Sequence, residues 1–321
     1  MRDTRLSKPT ILIDADTGID DAFAILYGIK SGKADIIGIT TIFGNIPVEQ
    51  ATENTMRVLK LAGKENEIPV SQGAAQPLVR KVDVFPTHVH GVNGIGDVEL
   101  PKSVQRPIPE AAGDFIVRSA SEHEGELIVV ALGRLTNVAQ ALKIDPGLPA
   151  KIKHLYVMGG AVHVPGNVTP ASEANIWGDP EAADFVIQSG LNITLVGLDV
   201  TLKTLLHQSH LDMLQQTCSA ENQEIVSFLN RSMSYYFQFY RQSDALHQCA
   251  PMHDPLAVLV AIEPGIVQTQ QMNMRVECRG EHTLGMTVAD LRRKPAVGSP
   301  VQVCLDVDGE RAIDLMLDVF I

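Results

Sequence analysis

Cysteine is sparse in this chain. The four residues, Cys218, Cys249, Cys278 and Cys304, lie far apart and show no metal-ligand spacing. That argues against a disulfide framework or a zinc site and leaves buried free thiols as the expectation. No run of Lys or Arg forms a stripe able to neutralise phosphates. With 38 acidic against 26 basic residues and a formal charge of -12, nucleic acid is a poor partner. The first ten residues, MRDTRLSKPT, lack the apolar stretch of a signal peptide, and no later apolar run approaches bilayer length. The expectation is a cytoplasmic protein with no membrane partner. Linkers of Pro, Gly and Ser are missing, as are internal repeats and low-complexity segments. The 321 residues are therefore read as one domain, 1–321, long enough to bury a large core.

What is present is alternation. Apolar runs of strand length at Thr10 to Ile13, Ile36 to Thr41, Ile68 to Val70, Leu127 to Leu132, Leu155 to Met158 and Ile193 to Leu198 are separated by amphipathic runs of helix length. The helical patterns fall at Asp20 to Lys30, Val48 to Ala62, Ala111 to Ser121, Asn137 to Lys143 and Pro180 to Ser189, each with small or acidic residues near its start. Repeated strand-helix units predict an α/β fold with an open, mainly parallel central sheet and helices on both faces. From Leu211 to Ala261 the pattern is largely helical, and a small β region from Val267 to Val307 precedes a closing helix at Arg311 to Val319. Ala74 to Pro109 and Gly159 to Asp179, rich in Gly, Pro, His and Asn, fit neither pattern. Long loops within a compact domain are usually functional.

The strongest local signal is Ile11-Leu12-Ile13-Asp14-Ala15-Asp16-Thr17-Gly18-Ile19-Asp20-Asp21-Ala22, with four carboxylates inside eight residues where a strand passes into a helix. Asp14 and Asp16 share one side of the strand, while Asp20 and Asp21 fall in the first helical turn. A helix N-terminus favours one or two such charges by roughly 0.3 to 1 kcal/mol each. That does not offset the repulsion of four acids converging at the carboxyl end of a sheet, where open α/β folds bind ligands. A cation resolves the conflict. The cluster holds no Cys or His, so a hard ion such as Ca²⁺ or Mg²⁺ fits better than zinc or copper. The competing reading is that the acids cap a helix, which explains an Asp-Asp pair more easily than the whole string. A shifted Asp-x-Asp-x-Thr match also points distantly to haloacid-dehalogenase-like phosphatases, but Thr17 follows Asp16 directly and no later Gly-Asp-x-x-x-Asp motif appears.

The string resembles the Asp-x-Asp-x-Gly-x-Asp-Asp signature of the inosine-uridine type nucleoside hydrolases. Further matches follow in family order: Thr40-Thr41-Ile42-Phe43-Gly44-Asn45, His90-Gly91, Leu135-Thr136-Asn137, Met158-Gly159-Gly160, Asn167, Glu173-Ala174-Asn175, Asp179-Pro180-Glu181-Ala182-Ala183 and His253-Asp254-Pro255. Each alone is weak; in order and at compatible spacing they are specific. The resemblance implies hydrolysis of the N-glycosidic bond of ribonucleosides to ribose and free base. It makes Asp16, Asp21 and Asp254 calcium ligands together with the main-chain carbonyl of Thr136. Asp16 would also be the general base toward a calcium-bound water, a division of labour that suits an ion which acidifies water far less than zinc does.

By the same resemblance, ribose falls to Asp20, Asn45, Asn167, Glu173 and Asn175, with Met158 lining the site. Amides and carboxylates from separate loops suit hydroxyls that both donate and accept, though Asn167 and Asn175 also read as plain turn residues. His90 and His253 occupy positions the family uses near the base, and histidine is the side chain suited to moving a proton near neutral pH. His88 and His163 are read as structural. Tyr236 and Tyr240, one helical turn apart, can reach the base from one face, a spacing that equally serves core packing. Ala15 and Thr17 replace residues commonly Thr or Cys and Pro in the family, and Gly160 to Asn167 is about one residue longer than in some members. Both bear on the 5-hydroxyl subsite. A homodimer or homotetramer is implied. A calcium-dependent nucleoside-binding protein without chemistry stands as the alternative, and release of reducing sugar separates the two.

Overall fold

The computed structural model describes residues 8–243 and 246–321. Its strands are β1 (Thr10–Ala15), β2 (Asp35–Thr41), β3 (Val70–Gln72), β4 (Leu127–Ala131), β5 (His154–Met158), β6 (Ile193–Val196), β7 (Leu205–His207), β8 (Cys249–Pro251), β9 (Val267–Val276), β10 (Thr287–Ala289) and β11 (Ser299–Val307). Among the described residues nine of them form one sheet in the order β10-β9-β11-β6-β5-β4-β1-β2-β3, while β7 and β8 pair separately. Every pairing from β3 to β11 across β2, β1, β4, β5 and β6 is parallel; β9 and β10 close the edge in antiparallel fashion. The α/β expectation of a mainly parallel sheet holds.

Strand β1 shows why helices cover both faces. Ile11 and Ile13 point into one core with Phe23, Leu26 and Val258, whereas Leu12 points into the other with Phe115, Val129 and Leu155. Strands buried on both sides read as continuous apolar runs, which is how β1 and β4 read. The first core receives the helices Ile19–Lys30, Gln223–Ser243 and His253–Ile262; the second receives Ala112–Glu122, Thr136–Ile144 and Pro180–Ile187.

Departures from the predicted elements are local. The sixth apolar run ends as a strand at Val196, and Leu198–Thr201 turns into a short helix after Gly197. Cys249–Pro251 is a strand inside the stretch read as helical, because it pairs with Leu205–His207 more than forty residues earlier, a partner no local pattern reveals. The two unassigned stretches stay mostly irregular, holding only the short helices Thr87–His90 and Ala174–Gly178. Both reach the same place, the carboxyl ends of β1, β2, β4 and β5.

Candidate active site

Two helix N-termini deliver the acids. Asp20 and Asp21 occupy the first turn of Ile19–Lys30, and Asp254 occupies the first turn of the apolar helix His253–Ile262, which packs beside it. Oxygens of Asp20, Asp21 and Asp254 lie within 4.8 Å of one another, and all three residues are buried. Asp21 stands within hydrogen-bond reach of both Asp16 and Asp254. Residues more than 230 positions apart therefore meet, as the metal reading requires. Among the described residues, Asp16 Oδ1, Asp20 Oδ1 and Asp21 Oδ1 have no hydrogen-bond partner. Burial first, then mutual repulsion, pushes the carboxyls of Asp21 and Asp254 well above the ordinary range. Asp20 is raised to about 7, chiefly by burial. Orphaned oxygens, an all-oxygen donor set and repelling charges fit a hard divalent cation, and the cluster could hold one.

Asp16 stands slightly apart. Its Oδ2 accepts from the Asn45 backbone N–H at 2.7 Å and from Arg134 Nη1 at 2.5 Å. Asn45 also donates through Nδ2 to Asp21 Oδ2 at 3.1 Å, a second tie across the cluster. Gly44 makes this possible: a Cβ there would lie 1.9 Å from Arg134 Nη1 and 2.0 Å from Asp16 Oδ2. Behind the cluster, Asp14 Oδ1 accepts from Thr40 Oγ1 at 2.6 Å and Asn137 Nδ2 at 2.7 Å, which ties β1 to its neighbours.

Elsewhere on the cavity wall, Glu173 caps the helix Ala174–Gly178: Oε1 accepts from Asn175 N–H at 2.8 Å, and Oε2 from Ile176 N–H at 3.1 Å and Gly160 N–H at 3.0 Å. Asn175 Nδ2 donates to the carbonyls of Leu132 at 2.6 Å and Met158 at 3.1 Å. Asn167 accepts from Ala174 N–H at 3.0 Å and is exposed at the cavity mouth. These residues, with Asp20, Asn45 and Asp254, line one cavity of about 520 Å³.

His90 and His253 are buried. His90 Nδ1 accepts from Ile19 N–H at 3.2 Å, which leaves its proton on Nε2. Burial, then the charge of Arg134, lowers its pKa to about 3. His253 is lowered to about 4 by burial; its Nδ1 meets Thr201 Oγ1 and its Nε2 meets the Tyr240 hydroxyl, each at 2.8 Å. Tyr236 donates to Asp20 Oδ2 at 3.3 Å. Both tyrosines thus belong to the site and are packed as well.

Thr136 does not join them. It opens the helix Thr136–Ile144, its hydroxyl donating to Asp179 Oδ2 at 2.7 Å, and it is not among the described residues that line the cavity. A carbonyl in a first helical turn points down the helix and is taken by the residue four ahead. Leu132, at the tip of β4, lines the cavity with its carbonyl turned to Asn175. His88, read as structural, also lines the cavity, its ring 5.8 Å from that of Phe239. His163 is exposed, with its backbone N–H on Asp199 Oδ1 at 2.7 Å. Sequence reasoning missed Arg134, Leu132, Trp177, Phe239 and the apolar rim Val82 to Val89. Arg134 alone carried a signal, a charged residue two positions after the apolar run Leu127 to Leu132.

The sequence profile of inosine-uridine preferring nucleoside hydrolases matches residues 11–314. The chain belongs to that family. It is thereby a ribonucleoside N-glycosyl hydrolase. Uridine nucleosidase 1 of Arabidopsis thaliana is 36% identical over 312 residues, which cover 95% of this chain and 90% of the relative. A solved plant nucleoside hydrolase superposes with a TM-score of 0.92 at 33% identity, covering 98% of this chain and 99% of that one. The purine-preferring ribonucleoside hydrolase from Gardnerella vaginalis gives a TM-score of 0.89 at 36% identity, with 97% and 98% covered. Family members named for opposite base preferences thus share this fold. Among the described residues, no helix is long and apolar enough to cross a membrane.

Proposed function

We propose that the chain hydrolyses ribonucleosides with Ca²⁺ held by Asp16, Asp21 and Asp254, and with Asp16 as general base. The observation that carries this reading is the meeting of Asp20, Asp21 and Asp254, two of which, Asp20 and Asp254, line a cavity large enough for a small molecule. Calcium, when bound, supplies positive charge that orders the attacking water and the vicinal sugar hydroxyls. Asp16 accepts the water's proton. Asp20, Asn45, Asn167, Glu173 and Asn175 bind ribose, with Met158 beneath it, and buried carboxylates around the ring stabilise the cationic sugar of the transition state. A carbonyl ligand from this segment is better supplied by Leu132 than by Thr136, because the Leu132 carbonyl lies at the strand tip beside the cavity.

Leaving-group assistance comes from neutral hydrogen-bond donors, since His90 and His253 hold no extra proton near pH 7. His90 offers Nε2–H, and His253 works through Tyr240. The base is held by apolar and aromatic side chains, Val84, Phe85, Trp177 and Phe239, which read shape and stacking more than a hydrogen-bond pattern. Acceptance of both purines and pyrimidines follows. We further read the chain as one domain acting in cytoplasmic nucleoside salvage, as a homodimer or homotetramer. Incubating the purified protein with inosine, adenosine, uridine and cytidine, with and without a chelator, tests the core of this reading. Reducing sugar should appear from all four and vanish on chelation; no sugar from any of them overturns it.

A further inference from the structure

Arg134 is the one cation buried in the acid cluster among the described residues, and three features show that its place is built. Its guanidinium carbon lies 5.9 Å from the Phe43 ring centre. A Cβ on Gly44 would strike its Nη1, and a Cβ on Gly178 would come within 2.4 Å of its Nε and 2.6 Å of its Cγ. Its side chain is 10% exposed, and its Nη1 holds Asp16 Oδ2 at 2.5 Å. The fourth feature concerns access. Arg134, Gly44 and Asn45 line the cavity while Asp16, 1% exposed, does not, so the guanidinium stands between Asp16 and the substrate space.

We propose that Arg134 is a positioning residue that competes with the divalent ion for Asp16, holding the carboxylate in the metal-free enzyme and weakening the ion's binding. The inference rests on the metal reading above. Its physical basis is a sum of charges. A fixed positive charge in contact with one ligand repels a divalent ion bound beside it, and burial keeps that repulsion from being screened. Asp16 also cannot give Oδ2 to an ion while Arg134 and the Asn45 N–H occupy it, which leaves the unpartnered Oδ1 as its ligand atom. In exchange, the guanidinium lessens the repulsion among the acids when no ion is present. Arg134 thus trades affinity for a metal-free state that stays folded.

The test is calcium affinity, measured by titration calorimetry on the whole chain, with melting temperatures in chelator and in saturating calcium. Arg134→Gln should bind calcium tighter by about tenfold or more, melt lower than the unmodified protein in chelator, and gain more on calcium addition. Arg134→Lys, which keeps the charge, should stay within about threefold of the unmodified protein. Should Arg134→Gln not fold, Gly178→Ala displaces the guanidinium without touching a carboxylate and should tighten binding in the same direction. A merely structural arginine would loosen calcium on removal, so weaker or unchanged affinity in Arg134→Gln, or in Gly178→Ala where the first does not fold, overturns the proposal. Absence of calcium binding in the unmodified protein would instead overturn the metal site on which the proposal stands.

Discussion

The two ends of the cavity are built on opposite principles. The inner end is made of strand tips and helix N-termini, and nearly every side chain there is a buried acid or amide tied by short hydrogen bonds. The outer end is made of the loop Val82 to Val89 and one face of the helix Gln223–Ser243, and its side chains are mostly apolar or aromatic. Regular backbone fixes the inner end to within the tolerance that bond-breaking demands. The rim Val82 to Pro86 lacks that support, and Val84 is 85% exposed. On the proposed function, the inner end carries the chemistry and the outer end receives the base.

The sharpest way to break that division is at the inner end. Asp16→Asn removes the carboxylate proposed as proton acceptor while keeping size, and should lower kcat by about a thousandfold or more with little change in fold. Sugar release and circular dichroism together check it; activity within about tenfold of the unmodified enzyme would remove Asp16 from the chemistry. His253 stands between the two ends, touching Thr201 inward and Tyr240 outward. His253→Ala should lower kcat by about ten- to a hundredfold, with Tyr240→Phe following in the same direction. A change in KM alone would assign both to binding.

The inner end also predicts a pH dependence that the outer end does not. Asp14 and Asp20 keep their protons to about pH 7 in the folded protein, whereas an ordinary aspartate releases its proton near 3.8, and burial and mutual repulsion also raise Asp21 and Asp254 well above that ordinary value. Across that interval the folded state binds more protons than the unfolded chain, so these groups lose stability as pH rises. His90 and His253 oppose them: neutral in the fold down to about 3 and 4, they lose stability as pH falls below the ordinary 6.5. Four carboxylates outweigh two imidazoles. In chelator the melting temperature should fall by a few degrees between about pH 4.5 and 7. Saturating calcium should reverse that slope, because the ion binds the deprotonated acids. A chelated protein that stabilises steadily over this range would contradict the burial and mutual repulsion assigned to these acids.

The same contrast explains what was legible in the sequence. Asp16, Asp20 and Asp21 announce themselves because four acids in eight residues conflict with one another unless something resolves them, and the β1 pattern places them at a strand end. The sheet was legible because strands such as β1 and β4 are buried on both faces and leave unbroken apolar runs. Asp254 is silent by itself; only its neighbours His253 and Pro255 in a family motif connect it to residues far upstream. Thr136 and Leu132 differ in which carbonyl faces the cavity, a matter of where β4 stops and the helix begins, and boundaries are what periodicity fixes least well. The outer wall was illegible because apolar residues in an irregular loop look alike until the helix Gln223–Ser243 is laid against them.

The mildest test addresses that outer wall. Phe239 lines the cavity, meets His88 at 5.8 Å and packs on Tyr240 at 5.1 Å between ring centres. A stacking contact with the base exists equally in the bound nucleoside and in the transition state, so it contributes uniform binding. Phe239→Ala should raise KM about three- to tenfold and leave kcat within about twofold, with a larger effect on purines, whose two rings offer more area to stack. Steady-state kinetics on inosine and uridine decide it. If kcat falls and KM does not, the aromatic wall acts through Tyr240 and His253 on the departing base, and the cavity's two ends are one machine.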